Sequence, residues 1–158
     1  LKFDPSLEKA HIIVAIGDNK ARRIQQERVK NAGFRVAHLI HPNAVVSNSA
    51  QIGEGAVVMP NAVINARAVV SEGAIINTGA IVEHDCEIGD FAHVSPNAAL
   101  AGGVIVGANT HVGIGSCAIQ CVKIGANCII GAGSVVIRDI ADGSVAYGNP
   151  AKVRRNLD

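Results

Sequence analysis

The sequence has 158 residues, with 14 Lys or Arg against 13 Asp or Glu, 17 Gly, and only 3% aromatic residues. Its near-neutral charge argues against nucleic acid or an anionic membrane surface as a partner, because those partners favour a clustered basic face. No apolar run approaches the ~20 residues of a membrane span, and no signal segment opens the chain, so we expect no membrane insertion. The four cysteines form no CxxC pair, which predicts small buried thiols in a cytoplasmic protein.

The first 39 residues have the pattern of an α/β domain. The predicted elements are a buried strand over 11–16, a turn at Gly17, a helix that is capped by Asp18 or Asn19 and runs to about Ala32, a stop at Gly33, and a strand over 34–40. Because the chain starts at Leu1 rather than Met, we expect this strand–helix–strand unit to be the last piece of an α/β domain that begins upstream.

A strict six-residue repeat begins at Ile40. Every sixth residue from there is aliphatic, with no insertion: Ile40, Val46, Ile52, Val58, Ile64, Val70, Ile76, Val82, Ile88, Val94, Leu100, Val106, Val112, Ala118, Ile124, Ile130 and Val136. Four residues after each of these comes a small or modest side chain: Ala44, Ala50, Ala56, Ala62, Ala68, Ala74, Ala80, Cys86, Ala92, Ala98, Val104, Thr110, Ser116, Val122, Cys128 and Ser134. The residues between the two columns are mostly Gly, Asn, Asp, Ser and Pro, which turn the chain or accept a positive φ.

A period of six fits neither a helix, with ~3.6 residues per turn, nor a strand, with a period of ~2. It fits a short strand followed by a corner. Three such units close a triangular coil of eighteen residues, so residue n stacks on residue n+18, with coils about 4.8 Å apart. Residues 40–141 are therefore predicted to form a parallel β-helix, and residues 142–158 a cap and tail that protect its open edge. The pattern does not fix the hand, since parallel crossovers are right-handed in about 98% of cases.

His84 is the first candidate for chemistry, because it lies at a corner of the repeat between Glu83 and Asp85. A carboxylate can fix the tautomer of an imidazole and raise its basicity, as a general base requires. Gly102 lies one coil above His84 and offers a backbone N–H to an oxyanion with no side chain in the way. From spacing alone, an ordinary exposed corner histidine remains the alternative.

A second histidine column is predicted beside this corner. His93 and His111 are eighteen residues apart, so they should stack on an outer face of the prism. Asn77 and Ser95 should likewise stack beside them, one coil apart.

The stretch from 77 to 95, NTGAIVEHDCEIGDFAHVS, closely resembles the sugar-nucleotide acetyltransferases of the PglD/NeuD type, which are hexapeptide-repeat enzymes of bacterial glycan assembly. The segments 13–19 (IVAIGDN) and 39–42 (LIHP) resemble the end of that family's Rossmann-like domain. The tail GNPAK at 148–152 is shared more widely among hexapeptide acyltransferases.

The resemblance implies a left-handed β-helix acyltransferase domain over 40–141, preceded in 1–39 by the C-terminal part of a Rossmann-like nucleotide-sugar-binding domain. It implies transfer of acetyl from acetyl-CoA, without a metal, to the amine of a nucleotide-linked amino sugar of the UDP-4-amino-4,6-dideoxy type. It also implies a role in bacterial surface-glycan biosynthesis, such as that of capsule or lipopolysaccharide, and a homotrimer with active sites between subunits.

Roles for individual residues follow from the same resemblance. They are His84 as general base, Asp85 as its orienting acid, His93 as a contact of the thioester or cofactor, Gly102 as the oxyanion donor, Ile114 and Ala132 as backbone contacts of the pantetheine arm, Lys152, Arg154 and Arg155 as contacts of the cofactor phosphates, and Asn77, Gly17 and Asn19 as substrate contacts. Two departures stand out. Asp85 replaces the Glu of several relatives, and the Gly-rich phosphate loop expected early in the nucleotide-sugar domain is absent from this sequence.

Three alternatives stay open at this stage. One is O-acetylation of a sugar or sialic acid hydroxyl on the same scaffold. Another is a γ-type carbonic anhydrase, whose zinc needs three well-placed histidines, although His84, His93 and His111 lack that family's five-residue spacing. The third is a non-catalytic solenoid that serves as a scaffold.

Overall fold

The computed structural model of the protein describes residues 10–157. It begins with β1 (His11–Ile12), α1 (Asn19–Asn31) and β2 (Arg35–Val36), and β1 pairs with β2 in parallel. The predicted helix is confirmed: its N-cap is Asp18, which accepts a 2.8 Å hydrogen bond from the amide of Ala21. The two flanking strands are shorter than predicted. The segment 34–40 divides into β2 and β3 (Leu39–Ile40), because β2 pairs with β1 whereas β3 pairs with the solenoid.

Seventeen two-residue strands, β3 to β19, follow one another at a constant spacing of six residues. They form three parallel sheets, one on each face of a triangular solenoid of about six turns. The six-stranded face contains β4 (Val45–Val46), β7 (Val63–Ile64), β10 (Ile81–Val82), β13 (Ala99–Leu100), β16 (Cys117–Ala118) and β19 (Val135–Val136). The five-stranded face contains β5 (Gln51–Ile52), β8 (Val69–Val70), β11 (Glu87–Ile88), β14 (Ile105–Val106) and β17 (Lys123–Ile124). The eight-stranded face contains β3, β6 (Val57–Val58), β9 (Ile75–Ile76), β12 (His93–Val94), β15 (His111–Val112), β18 (Ile129–Ile130), β20 (Ser144–Gly148) and β21 (Ala151–Asn156).

The pairing register confirms the predicted coil of eighteen residues. His93 pairs with His111, for example, and Glu87 pairs with Ile105. The second residue of each strand points inward, and from Val58 to Val136 these side chains form one continuous core with the small residues that follow them. At the N-terminal end Ile40 is 37% exposed, because it belongs to the first coil. At the other end β20 and β21 form an antiparallel hairpin, which pairs with β18 and covers the last coil.

A left-handed backbone conformation recurs at fourteen consecutive corners, always three residues after the inward-facing aliphatic residue. The positions are Gly55, Asn61, Arg67, Gly73, Gly79, Asp85, Phe91, Asn97, Gly103, Asn109, Gly115, Cys121, Asn127 and Gly133. Gly and Asn are expected there, because they adopt positive φ at little cost. Arg67, Phe91 and Cys121 are not expected there. Their amides bond to the preceding coil: Arg67 donates to Oγ of Ser49 at 3.1 Å, Phe91 to the carbonyl of Glu72 at 2.7 Å, and Cys121 to the carbonyl of Gly102 at 3.0 Å.

Helix α1 lies along the vertex between the five-stranded and eight-stranded faces. Asn19 donates to the carbonyl of Asn109, and Lys30, at the other end of the helix, pairs with Glu54 at 3.1 Å and Glu72 at 2.7 Å. From 19 to 30 the helix advances about 16 Å, which matches the roughly 14 Å between coils three apart. The buried stripe of α1 is mainly polar, because Arg22 and Gln26 accompany Val29.

Candidate active site

His84 lies at the vertex between the six-stranded and five-stranded faces, in the corner that joins β10 to β11. Its Nδ1 is 2.7 Å from Oδ2 of Asp85. The carboxylate of Asp85 is also paired with Arg67, at 2.7 Å from Nε to Oδ1 and 2.9 Å from Nη2 to Oδ2. The Arg67 guanidinium, followed by the His84 imidazole, lowers the pKa of Asp85 to about 2. Asp85 is therefore ionised at neutral pH and orients the imidazole with Nδ1 as the donor.

Arg67 is a member of this group that the sequence analysis missed. It lies eighteen residues before Asp85, so the two side chains occupy the same column on adjacent coils. That spacing, combined with opposite charges, was the signal that could have identified the pair.

Gly102 lies directly against the His84 imidazole. A Cβ at this position would lie 2.6 Å from Cε1 and 2.7 Å from Nε2 of His84, so only glycine leaves room for the ring. Within residues 10–157 the amide N–H of Gly102 donates to no acceptor, whereas that of Gly103 donates to the His84 carbonyl at 2.9 Å. A backbone donor without a partner thus lies beside the unpaired Nε2 face of the imidazole.

A second polar group lies on the eight-stranded face. The rings of His93 and His111 meet edge to face, with their centroids 4.9 Å apart. Nε2 of His93 is 2.9 Å from Nδ2 of Asn77, and Nε2 of His111 is 3.2 Å from Oγ of Ser95. The stacking on one face agrees with the sequence analysis, but the rings are half-buried rather than freely exposed.

Asn77 sets the tautomer of His93. The Oδ1 atom of Asn77 accepts from the amide of Thr78 at 2.7 Å, so its Nδ2 must be the donor to Nε2 of His93. The proton of neutral His93 is then on Nδ1, which is buried and has no hydrogen-bond partner of good geometry among the residues that the structure describes. The nearby Gly17 backbone acts to raise the pKa of His93. Burial, followed by His111 and Arg22, lowers the pKa of His93 to about 4. The pKa of His111 is lowered by burial and Arg22.

The turn before α1 adjoins the histidine pair and borders a groove of about 860 Å³. The groove is lined by Gly17, Asp18, Asn19, Lys20, Asn109, His111, Asn127, Cys128, Ile129, Asp142, Gly143 and Leu157. The predicted substrate contacts Gly17 and Asn19 are therefore near each other and near His111. A second groove, of about 720 Å³, lies beside β2 and is lined by none of the predicted site residues.

The remaining predicted contacts lie elsewhere on the surface. Ile114 and Ala132 stack at the vertex between the eight-stranded and six-stranded faces, and both are exposed. Lys152, Arg154 and Arg155 are exposed on β21, where the Arg154 guanidinium lies 5.1 Å from the centre of the Tyr147 ring.

One protomer does not bring the His84 group and the His93 group together. The vertex that carries His84 is opposite the eight-stranded face, which carries His93, so the body of the prism separates the two. Neither groove includes His84. The two groups can face the same molecule only if they come from different copies of the chain.

Three further features concern metal binding, membrane insertion and the cysteines. Within residues 10–157 no group of three or more His, Cys, Asp or Glu side chains is arranged to hold a metal ion. No helix in that range has the length and apolarity needed to span a membrane. The prediction of buried thiols was wrong for two of the four cysteines: Cys86 and Cys128 are buried, but Cys117 and Cys121 are exposed because they occupy an outward strand position and a corner.

Known structures closely match this fold, although no protein-family model matches the chain. PerB from Caulobacter crescentus, in complex with CoA and GDP-perosamine, is 45% identical with a TM-score of 0.93, and the match covers 96% of this chain and 74% of that chain. The acetyltransferase domain of PglB from Neisseria gonorrhoeae, in complex with acetyl coenzyme A, is 45% identical with a TM-score of 0.89, over 91% of this chain and 70% of that chain.

A curated relative agrees with these structures over a shorter stretch. The UDP-N-acetylbacillosamine N-acetyltransferase of Bacillus subtilis (strain 168) is 47% identical over 47 residues, which is 30% of this chain and 22% of the relative. The match to PerB covers more of this chain than the matches to PglB and to the Bacillus subtilis enzyme, and its sequence identity is 45%. The chain therefore belongs to the family of β-solenoid sugar-nucleotide N-acetyltransferases, which are acyltransferases that use acetyl-CoA.

Proposed function

We propose that the protein transfers the acetyl group of acetyl-CoA to the amine of a nucleotide-linked amino sugar in bacterial surface-glycan biosynthesis. The observation that carries the proposal is the hydrogen-bonded group of Arg67, Asp85 and His84, with the unpaired Gly102 amide beside it. The chain that holds this group is 45% identical to PerB, which was solved in complex with CoA and GDP-perosamine. The amino group is the acceptor in each relative whose name states N-acetyl transfer, and this favours N-acetylation over the O-acetyl alternative.

In the proposed mechanism the sugar amine attacks the thioester carbon directly. Nε2 of His84 takes the proton from the amine as the C–N bond forms, while Asp85 holds Nδ1 and stabilises the resulting imidazolium. The Gly102 amide donates to the oxyanion of the tetrahedral intermediate. The C–S bond then breaks, and the CoA sulfur receives the proton from His84. Burial raises the pKa of Cys86 and Cys128, so neither thiol suits a covalent step.

His93 would act in its neutral form at the acetyl end of the cofactor. Its low pKa keeps it uncharged at neutral pH. Asn77, which fixes its tautomer, would act through His93, and Gly17 and Asn19 would contact the sugar nucleotide from the groove beside His111. A pKa this low also makes His93 a weak base, so His84 rather than His93 is proposed to take the proton.

A homotrimer would complete the site by placing His84 of one protomer opposite His93 of another. The outward residues of the six-stranded face support such an assembly, because they form an unbroken apolar column: Val45, Val63, Ile81, Ala99, Cys117 and Val135. Val45 is 63% exposed and Ile81 38% exposed. The five-stranded face has the polar residues Gln51, Glu87 and Lys123 at three of its five equivalent positions, as expected for a face in water.

The cofactor would then lie in the cleft between two prisms. Ile114 and Ala132 border the apolar face at one vertex and would offer backbone groups to the pantetheine arm. Lys152, Arg154 and Arg155 would meet the cofactor phosphates from β21, where they are exposed.

The chain divides into three parts in this proposal. We assign 1–39 to the C-terminal part of a Rossmann-like nucleotide-sugar-binding domain, 40–141 to the acyltransferase domain with a left-handed coil, and 142–158 to the cap and tail. The parallel β1–α1–β2 unit supports the first assignment. A cytoplasmic location is proposed because acetyl-CoA and nucleotide sugars are cytoplasmic substrates.

The test is release of CoA from acetyl-CoA with a panel of UDP- and GDP-linked sugars, comparing 4-amino sugars with their hydroxyl counterparts. We expect turnover only with amino sugars, and His84→Ala should lower kcat by ~10²–10⁴. His38→Ala is the matched control, because His38 is exposed and lies outside the proposed site. Near-normal activity of His84→Ala would refute the assignment of the base, and turnover of hydroxyl sugars alone would replace N- by O-acetylation.

A further inference from the structure

Arg22 is a charged side chain that is completely buried between α1 and the solenoid, with 0% exposure. Its guanidinium donates to backbone carbonyls on both sides of this contact. The acceptors are Gly73 at 2.7 Å from Nε, Ile16 and Gly17 at 3.0 Å each from Nη1, and Phe91 at 2.9 Å, Ala92 at 3.5 Å and the Asn19 side chain at 2.9 Å from Nη2.

Packing alone does not account for an arginine at this position. Burying a cation without a paired carboxylate is unfavourable unless its hydrogen-bonding capacity is satisfied. None of the six acceptors that Arg22 has within residues 10–157 is a carboxylate. Burial lowers the pKa of Arg22 only to about 10, so the side chain stays protonated at neutral pH. An apolar residue could pack α1 against the prism but could not bind these carbonyls.

Four of the six acceptors form two pairs that meet at the proposed site. Nη1 holds the carbonyls of Ile16 and Gly17 and therefore fixes the turn that borders the groove. Nη2 holds Phe91 and Ala92, the two residues directly before His93. A single rigid guanidinium thus connects the turn to the start of the strand that carries His93.

The orientation of the turn follows from this connection. In a trans peptide the C=O and the next N–H point in opposite directions. Because the carbonyls of Ile16 and Gly17 point at Arg22, the amides of Gly17 and Asp18 point away from it. Neither of these amides has an acceptor within residues 10–157, and both residues line the groove.

We infer that Arg22 is a positioning residue for acetyl transfer, which holds the Gly17–Asn19 turn in register with His93 so that the sugar nucleotide meets the histidine pair. The kinetic part of this inference rests on the proposed function. A second part does not: the groups that face His93 are Asn77, His111, the Gly17 backbone and Arg22, and among them Arg22 is the permanent cation that opposes protonation of the imidazole.

The test compares Arg22→Lys and Arg22→Gln with Arg28→Lys and Arg28→Gln. Arg28 is on the same helix but is exposed, so these controls make the same chemical changes away from the site. Lysine keeps the charge but cannot bind the two groups of carbonyls at once. We expect both Arg22 variants to raise the KM for the sugar nucleotide ~10-fold or more, with the KM for acetyl-CoA changed less than about twofold.

NMR titration of the imidazoles provides a readout that does not depend on turnover. Arg22→Gln should raise the titration midpoint of His93, identified with His93→Gln, whereas Arg22→Lys should leave it closer to the wild-type value. The solenoid core is a cluster separate from that beneath α1, so circular dichroism should still show a folded solenoid in both variants. If Arg22→Gln fails to fold, Arg22→Lys decides the kinetic question.

Two results would overturn the inference. One is a folded Arg22→Lys variant with unchanged KM values. The other is an equal loss for both substrates with an unmoved His93 titration, which would mean that Arg22 only stabilises the fold. If the wild type acetylates no nucleotide sugar, the proposed function fails, and the His93 titration still decides whether Arg22 controls that imidazole.

Discussion

Gly102→Ala should lower the activity of the protein on the order of 10²-fold by displacing the imidazole of His84. The added Cβ would lie 2.6 Å from Cε1 of His84, whereas ordinary van der Waals contact is 3.4–4 Å. The imidazole must therefore move by about 1 Å, and a misplacement of that size can cost on the order of 10²-fold in rate. This loss corresponds to about 2.7 kcal/mol of transition-state stabilisation.

The fold should tolerate the same substitution. Gly102 is not among the glycines with positive φ, so alanine is compatible with its backbone conformation. The His84 side chain is 59% exposed and can swing into solvent instead of forcing the coils apart. We expect the free energy of unfolding to change by no more than about 0.5 kcal/mol.

A double-mutant cycle isolates the proposed cause. With kcat/KM measured by CoA release, Gly102→Ala should reduce activity in the wild type but have almost no further effect in His84→Ala, because no ring is left to displace. Equal reductions in both backgrounds would show that Gly102 acts through something other than the position of His84. Wild-type activity of Gly102→Ala would refute the close contact itself.

Three other predictions test different parts of the structure. Because the pKa of His93 falls from 6.5 to about 4 on folding, the unfolded chain binds more protons than the folded chain between these pH values. The melting temperature should therefore fall as the pH drops from about 6.5 towards 4, and it should fall less steeply in His93→Gln. Equal slopes in the two proteins would contradict the prediction. Gly55→Ala should lower the melting temperature more than Gly133→Ala, because both have positive φ but only the first would overlap a side chain of α1; equal losses would leave backbone strain as the whole effect. On the six-stranded face, Ile81→Glu should dissociate the proposed trimer in sedimentation experiments, while Ile105→Glu on the five-stranded face should not. A trimer that survives Ile81→Glu would place the interface elsewhere.

The solenoid was predictable from the sequence because its signal is periodic. A buried aliphatic residue every six positions, followed by a small residue, determines strand, corner and register together, and the observed pairing of His93 with His111 is the n+18 relation that this period requires. The N-terminal strands were less predictable, since residues 12–16 form an unbroken apolar run but strand pairing involves only His11–Ile12. Apolar character indicates burial and does not specify a partner strand.

The polar contacts of α1 could not have been predicted. Arg22 and Gln26 are four residues apart on one face of the helix, and such a pair on a charged helix indicates a solvated surface. Here they point inward because the corners of the solenoid present backbone carbonyls and a carboxylate, Glu72, to them. The sequence shows where a helix forms but not that its docking surface is polar.

The histidine pair of the candidate site lies where the apolar outward column of the eight-stranded face is interrupted. The outward column of the eight-stranded face is apolar at β3, β6, β9 and β18, and histidines replace the apolar residue only at β12 and β15. Each histidine is bonded to a polar residue sixteen positions earlier, Asn77 to His93 and Ser95 to His111, so the departure affects a pair of matched positions on two successive coils. A regular prism has no concave surface of its own, and His84 at the opposite vertex points away from this pair. The repeat that makes the fold predictable therefore also explains why the proposed site requires a second copy of the chain.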